Sequence, residues 1–260
     1  VINGYGPIND CIDATAAGGT AGCEKSGEGS SGLFGGDNAA DNSGTLQYLQ
    51  VKYAGNLIND EDELNGIAFQ GVGSGTTCDH IQVHNNADDG VEFFGGAVHC
   101  NYLVLTGIGD DSVDWTDGWQ GGAQFVFVRQ APDAGDRGIE ADNRGGTTGN
   151  RDAMPRSNPT IANFTFVGTP NNDSGIVVRA GTDAKLCNGI VTGYGDAGFD
   201  IDEDATIARA QNGTLTIAST FLDNSDNVES GDNGEVFDTE AFFNNSPNTV
   251  QGNNSLTGEF

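Results

Sequence analysis

The stretch from Asp88 to Gly122 contains one unit written twice. Asp88-Asp89-Gly90-Val91-Glu92-Phe93 returns 22 residues later as Asp110-Asp111-Ser112-Val113-Asp114-Trp115. Cys78-Asp79-His80-Ile81-Gln82-Val83 returns at the same interval as Cys100-Asn101-Tyr102-Leu103-Val104-Leu105. A fixed period of this size marks a solenoid, in which each repeat buries its apolar face only by stacking on its neighbours.

The period extends both ways. One strand per turn carries an apolar anchor at Ile67, Val91, Val113, Ile139, Ile176 and Phe199, with separations of 24, 22, 26, 37 and 23. A second strand per turn reads Leu46-x-x-Leu49-x-Val51, then the same pattern from Cys78, Cys100, Ala123 and Ile161, and ends as Cys187-x-x-Ile190. A weaker turn follows at Leu215-Thr216-Ile217-Ala218 and Asn227-Val228-Glu229. Apolar and polar residues alternate, as in half-buried strands, and no segment holds a helical period. With 41 Gly for turns, the pattern predicts an all-β chain folded as a parallel β-helix. Its expected parts are an N-terminal Gly-rich cap (1–45), the β-helix (46–229) with an insertion at 142–159, and a C-terminal cap (230–260).

Rung length, patterning and the phrases DDGVEFFGG, GDDSVDWTDGW and GDRGIEADN resemble the pectate-lyase-like right-handed β-helix superfamily. They also look like a group of secreted bacterial β-helix proteins without assigned activity. The resemblance implies a single-stranded right-handed β-helix and leaves function open.

Ten basic residues face 38 acidic ones, a formal charge of -28. Like charge disfavours nucleic acid and anionic lipid and favours divalent cations. No apolar run approaches the ~20 residues of a membrane span. The first residues lack a signal-peptide pattern, as a processed secreted chain would. Cys11 and Cys23 are spaced for a small disulfide loop. Cys78 and Cys100 occupy the same place in adjacent turns, where strands ~4.8 Å apart suit a second bridge. Two bridges imply an oxidising compartment, hence an extracellular or cell-surface protein. Cys187 remains, expected as a small buried apolar residue.

Acids form columns. Asp88, Asp110, Asp136, Asp173 and Asp196 each stand two residues before the Gly or Ser that opens a strand. At ~5 Å, two such charges repel by about 0.8 kcal/mol in water and about 3 kcal/mol at an effective dielectric of 20. Either turn N–H groups or a cation must offset this. Where Asp88, Asp89 and Glu92 stack on Asp110, Asp111 and Asp114, with Asp117 nearby, a structural Ca²⁺ is expected. A second metal group is expected at Asp196, Asp200, Asp202 and Asp204. A line of outward acids runs Glu92, Asp114, Glu140 and, past Val177, Asp200. His80 and His84 lie ~13 Å apart on one strand and cannot share an ion.

Two functional classes follow. One is a structural protein of the cell exterior: a Ca²⁺-stiffened scaffold, adhesin or filament subunit, polymerising head to tail through short apolar knots in its caps. The other is a polysaccharide lyase or glycoside hydrolase using Asp111, Asp114, Glu140 and Arg156 on an acidic polysaccharide. Gly109-Asp110-Asp111 matches the paired-Asp motif of polygalacturonases. Their accompanying Asn-x-Asp, Gly-His-Gly and Arg-x-Lys motifs do not appear at neighbouring turns. Trp119, expected exposed, and Arg137, Arg156 and Arg179 would contact such a ligand. The arginines could equally pair internally with Glu140, Asp142 and Asp152. Trp115 continues the inward Phe93 column.

Overall fold

A computed structural model describes the chain except residues 14, 60–61, 145–148, 230–235, 254–255 and 257–260. Each turn contributes one strand to each of two parallel sheets. The short-strand sheet runs Ile2–Asn3, Ile67–Gln70, Val91–Phe94, Val113–Thr116, Ile139–Ala141, Ile176–Val178 and Asp200–Ile201. The long-strand sheet runs Thr45–Lys52, Thr77–His84, His99–Thr106, Gly122–Arg129, Thr160–Val167, Ala184–Thr192, Leu215–Asp223 and Val250–Gln251. Stacked parallel strands in this order fit a right-handed β-helix.

Registry turns the sequence repeat into columns. Val91, Val113 and Ile139 lie side by side, as do Phe93, Trp115 and Ala141. They face Cys78, Cys100 and Ala123 and the column Ile81, Leu103, Val126 and Phe164 from the other sheet. All are buried in one continuous core. The 3-then-2 spacing of the long strands has a backbone cause. Tyr48, His80, Tyr102, Phe125, Asn163, Asn188 and Ser219 occupy one column and all have φ between 50° and 60°. This left-handed residue interrupts the alternation, so two successive side chains face outward before the next turns in.

The sixth long strand differs from its expected alignment. Leu186, Gly189 and Val191 continue the inward columns, whereas Cys187 and Ile190 sit one residue off and face outward. Cys187 is therefore half-exposed, not buried. The inward position beside Phe164 is a glycine, where an added Cβ would meet the Phe164 ring at 2.1 Å. A glycine carries no apolar signal, and a one-residue slip exchanges the two faces of a strand.

Both disulfides form: Cys11–Cys23 with Cα atoms 4.7 Å apart and Cys78–Cys100 at 4.6 Å. Two helices add to the expected all-β content, α1 (Asp204–Asn212) and α2 (Thr239–Asn245). Each runs about two turns. α1 seats only Thr206, Ile207 and Ala210, and α2 only Thr239 and Phe243, too few to register as a period. α1 ends on Gly213 in the left-handed conformation, and the Asp238 side chain caps α2 by accepting from the Ala241 N–H. α2 places Phe242 and Phe243 against Phe199, and Phe237 packs on Phe242. Among the described residues no helix is long and apolar enough to cross a membrane.

The N-terminal segment, expected at the end of the solenoid, also roofs one side of it. Ile2–Asn3 extends the short-strand sheet. The chain then passes over that sheet's outer face as a strap. The Gly6 N–H donates to the Gly71 carbonyl at 2.6 Å and the Asn9 N–H to the Asp117 carbonyl at 3.0 Å. A second small core of Ile8, Cys23 and Phe34 packs on Ala68 and Phe94.

Candidate functional site

The outward acids of the short-strand sheet lie beneath this strap. Registry places Glu92, Asp114 and Glu140 in one column, with Val177 and Asp200 beyond. A cavity of about 240 Å³ separates strap from sheet. Glu92, Asp114, Thr116 and Asp117 form its sheet wall, Asp10 and Lys25 come from the strap, and Asp142 and Arg144 close one side. Lys25 Nζ stands 2.8 Å from Asp117 and 3.0 Å from Asp10, and Arg144 reaches Asp10 at 2.5 Å.

Beside the cavity the carboxylates of adjacent turns converge. Asp88, Asp89 and Asp110 form one group, Asp89, Glu92 and Asp114 a second, and Asp110, Asp111 and Asp136 a third. In each, one oxygen per residue lies within 4.8 Å of the others. Backbone donors hold part of this stack from turn to turn. The Asp111 N–H donates to Asp89 Oδ1 at 3.0 Å, and the Arg137 N–H to Asp111 Oδ1 at 2.7 Å. The turn N–H groups that satisfy these acids thus belong to the following rung.

Burial, and then neighbouring carboxylates, push Asp89, Glu92, Asp111 and Asp114 well above the usual carboxylate range. Compensation is uneven. Arg137 lies 2.7 Å from both Glu140 and Asp173, 2.6 Å from Asp136 and 3.9 Å from Asp111. Arg179 binds Glu140 and stands 2.9 Å from Asp142. The charges acting most strongly on Asp89 and Glu92 are all acidic. Asn65 relieves Glu92, its Nδ2 donating to the carboxylate at 2.6 Å. Asp114 Oδ1 is buried without a hydrogen-bond partner.

The structure therefore sorts the residues expected from sequence. Asp88, Asp89, Glu92, Asp110, Asp111 and Asp114 come together. Asp117 does not join them and instead pairs with Lys25 from the strap. Trp119 is fully buried, not exposed. It stacks on Phe93 at 3.9 Å and donates to the Val98 carbonyl at 3.2 Å, so it cannot meet a ligand. Arg156 is buried as well, and its guanidinium is spent on the Arg151 and Gly181 carbonyls and on Asp152. The lyase or hydrolase set is thus split, with Asp111, Asp114 and Glu140 on the acidic face and Arg156 bound within the insertion. Arg137 and Arg179 take the internal pairing. The second metal group, Asp196, Asp200, Asp202 and Asp204, forms no convergent set among the described residues, and Asp200 is buried on the short-strand sheet. Asp196 interacts with Asp173, Asp202 accepts from the Glu203 N–H, and Asp204 opens α1. Asp136, Asn65 and Lys25 were missed as site residues. The column Asp88–Asp110–Asp136 could have added the first, but the other two arrive through folding of the strap and of the preceding turn.

These features define a parallel β-helix with a roofed acidic face. The family model for a pectate-lyase-like β-helix domain matches residues 1–259, and the chain belongs to that family. No curated protein and no solved structure matches it.

Proposed function

We propose that this protein is an extracellular or cell-surface scaffold whose β-helix is stiffened by a divalent cation. The observation that carries this is the group Asp89, Glu92 and Asp114: three converging carboxylates, with no basic side chain among the charges that weigh most on two of them. An all-oxygen donor set suits a hard cation, and Ca²⁺ accepts carboxylates, amide oxygens and water in a flexible shell. Two disulfides agree with an exterior location. The arginines beside the acids support a structural role, because each is held by carboxylates and none is left as a base.

Calcium titration followed by calorimetry and thermal melting tests the proposal. Binding should raise the melting temperature, since a ligand specific to the native state stabilises it by mass action. Asp114→Asn and Glu92→Gln should each weaken binding. Identical melting in EDTA and in excess Ca²⁺ would remove the metal role. Turnover of an acidic polysaccharide that Asp114→Asn abolishes would replace the scaffold with the enzymatic alternative.

A further inference from the structure

We infer that the open end of the long-strand sheet is a self-association surface, at which Thr45–Lys52 pairs antiparallel with the same strand of a second copy about a two-fold axis. This goes beyond the scaffold proposal and does not depend on the cation.

Among the described residues, Thr45–Lys52 is the edge of its sheet and pairs only with Thr77–His84. Its inward residues remain partly uncovered: Leu49 is 37 % exposed, whereas Ile81, one turn further in, is 1 % exposed. Tyr53, Leu57 and Ile58 add exposed apolar area in the segment that follows. A long, exposed, apolar strand edge is a template for another strand.

The left-handed column makes this end unusual. Tyr48, His80, Tyr102 and Phe125 stack with centroids 4.7, 4.5 and 4.8 Å apart. Both faces of His80 and Tyr102 are occupied. Tyr48 ends the stack at 78 % exposure, with one ring face open to a further partner. Lateral sugar binding is disfavoured, because the ladder presents ring edges sideways.

Charge and symmetry select a second copy. In a chain with 38 acidic residues, none falls between Asn42 and Asn59, and Lys52 is the only charge. This end is where another highly anionic copy can approach. A two-fold axis between Tyr48 and Leu49 sets Leu46 against Val51, Gln47 against Gln50 and Thr45 against Lys52. Apolar thus meets apolar and amide meets amide, as an isologous interface requires. The opposite end of this sheet offers Val250–Gln251, a two-residue strand, and α2 lies around Phe199 near that end. Head-to-head pairing is thus the assembly this edge favours over the head-to-tail filament expected from the caps.

Light scattering and small-angle X-ray scattering across a concentration series test this, in EDTA and in Ca²⁺. The expected result is a closed dimer about twice as long as the monomer, present in both conditions. Leu49→Lys should weaken it by about tenfold or more, and Tyr48→Ser should also weaken it. Ile190→Lys, on the outer face of the sheet, should leave it unchanged. Hydrogen exchange should slow at the Thr45–Lys52 amides on dimerisation. A monomer at every concentration, an open-ended polymer, or a dimer indifferent to Leu49→Lys would overturn the inference. So would a dimer seen only with Ca²⁺, or edge amides protected only within a longer polypeptide. A dimer that persists where Ca²⁺ does not bind would sink the metal proposal alone.

Discussion

At the residue scale, the left-handed column costs energy that its side chains offset. A non-glycine residue in this region is disfavoured by roughly 1–2 kcal/mol. Asn163, Asn188 and His80 belong to types enriched there, but Tyr48, Tyr102 and Phe125 do not. Ring stacking supplies the offset, at about 0.5–1.5 kcal/mol per pair. Tyr102→Ala removes two stacks and keeps the strain, so urea unfolding should show a loss of about 1–3 kcal/mol. Tyr102→Gly should lose less, because glycine relieves the backbone. Equal losses for both variants would show that the strain is not significant. Lys25 poses a different question, since its side chain is 34 % exposed while Asp117 beneath it is 3 % exposed. Lys25→Met leaves Asp117 buried without its ion-pair partner, with only the more distant Arg144 acting on it. With solvent screening on the lysine side, the expected cost is about 2 kcal/mol, between the exposed-pair and buried-pair limits. A melting temperature that does not move would contradict it.

At the scale of elements, the strap and the short-strand sheet together create the electrostatics of the acidic face. Asp89, Glu92, Asp111 and Asp114 bind protons more tightly folded than unfolded, where carboxylates titrate near ~4. The stability this provides is complete below the unfolded value and is lost as pH rises through the folded values. In EDTA, the melting temperature should therefore fall as pH rises above the unfolded carboxylate value and on through the raised folded values. Excess Ca²⁺ should flatten that fall, because the cation takes over the role of the protons. Parallel curves with and without Ca²⁺ would show that the cation does not touch these acids. The same strap carries Cys11–Cys23, which closes a loop of sequence separation 12. Replacing both cysteines with serine should destabilise by about 2–4 kcal/mol, and hydrogen exchange should localise the loosening to the strap.

For the whole molecule, a charge of -28 works against compactness. Screening acts on the exposed acids, with a Debye length of about 10 Å at 0.1 M salt. Sodium chloride should raise the melting temperature modestly, and Ca²⁺ at matched ionic strength should raise it further. An equal effect of the two salts would assign all of the stabilisation to screening.

The solenoid was legible before any coordinates because each rung repeats a short-range pattern. Val91 and Val113, or Cys78 and Cys100, sit one turn apart whatever else the chain does. The acidic column of Glu92, Asp114 and Glu140 followed from the same registry, as did the Cys78–Cys100 disulfide, whereas Cys11–Cys23 followed from its short spacing. Where a rung carried glycine at an inward position, as at Gly189, the pattern lost its marker and the alignment slipped by one. Other features depend on contacts between segments far apart in sequence, and no local period encodes them. The burial of Trp119 on Phe93, the pairing of Asp117 with Lys25 from 92 residues away and the roof over the acidic face are of this kind. Repetition alone determined the solenoid and its columns, whereas the docking of the strap, a contact that no local period encodes, decided that Asp117 is paired with Lys25 and that the acidic face is roofed.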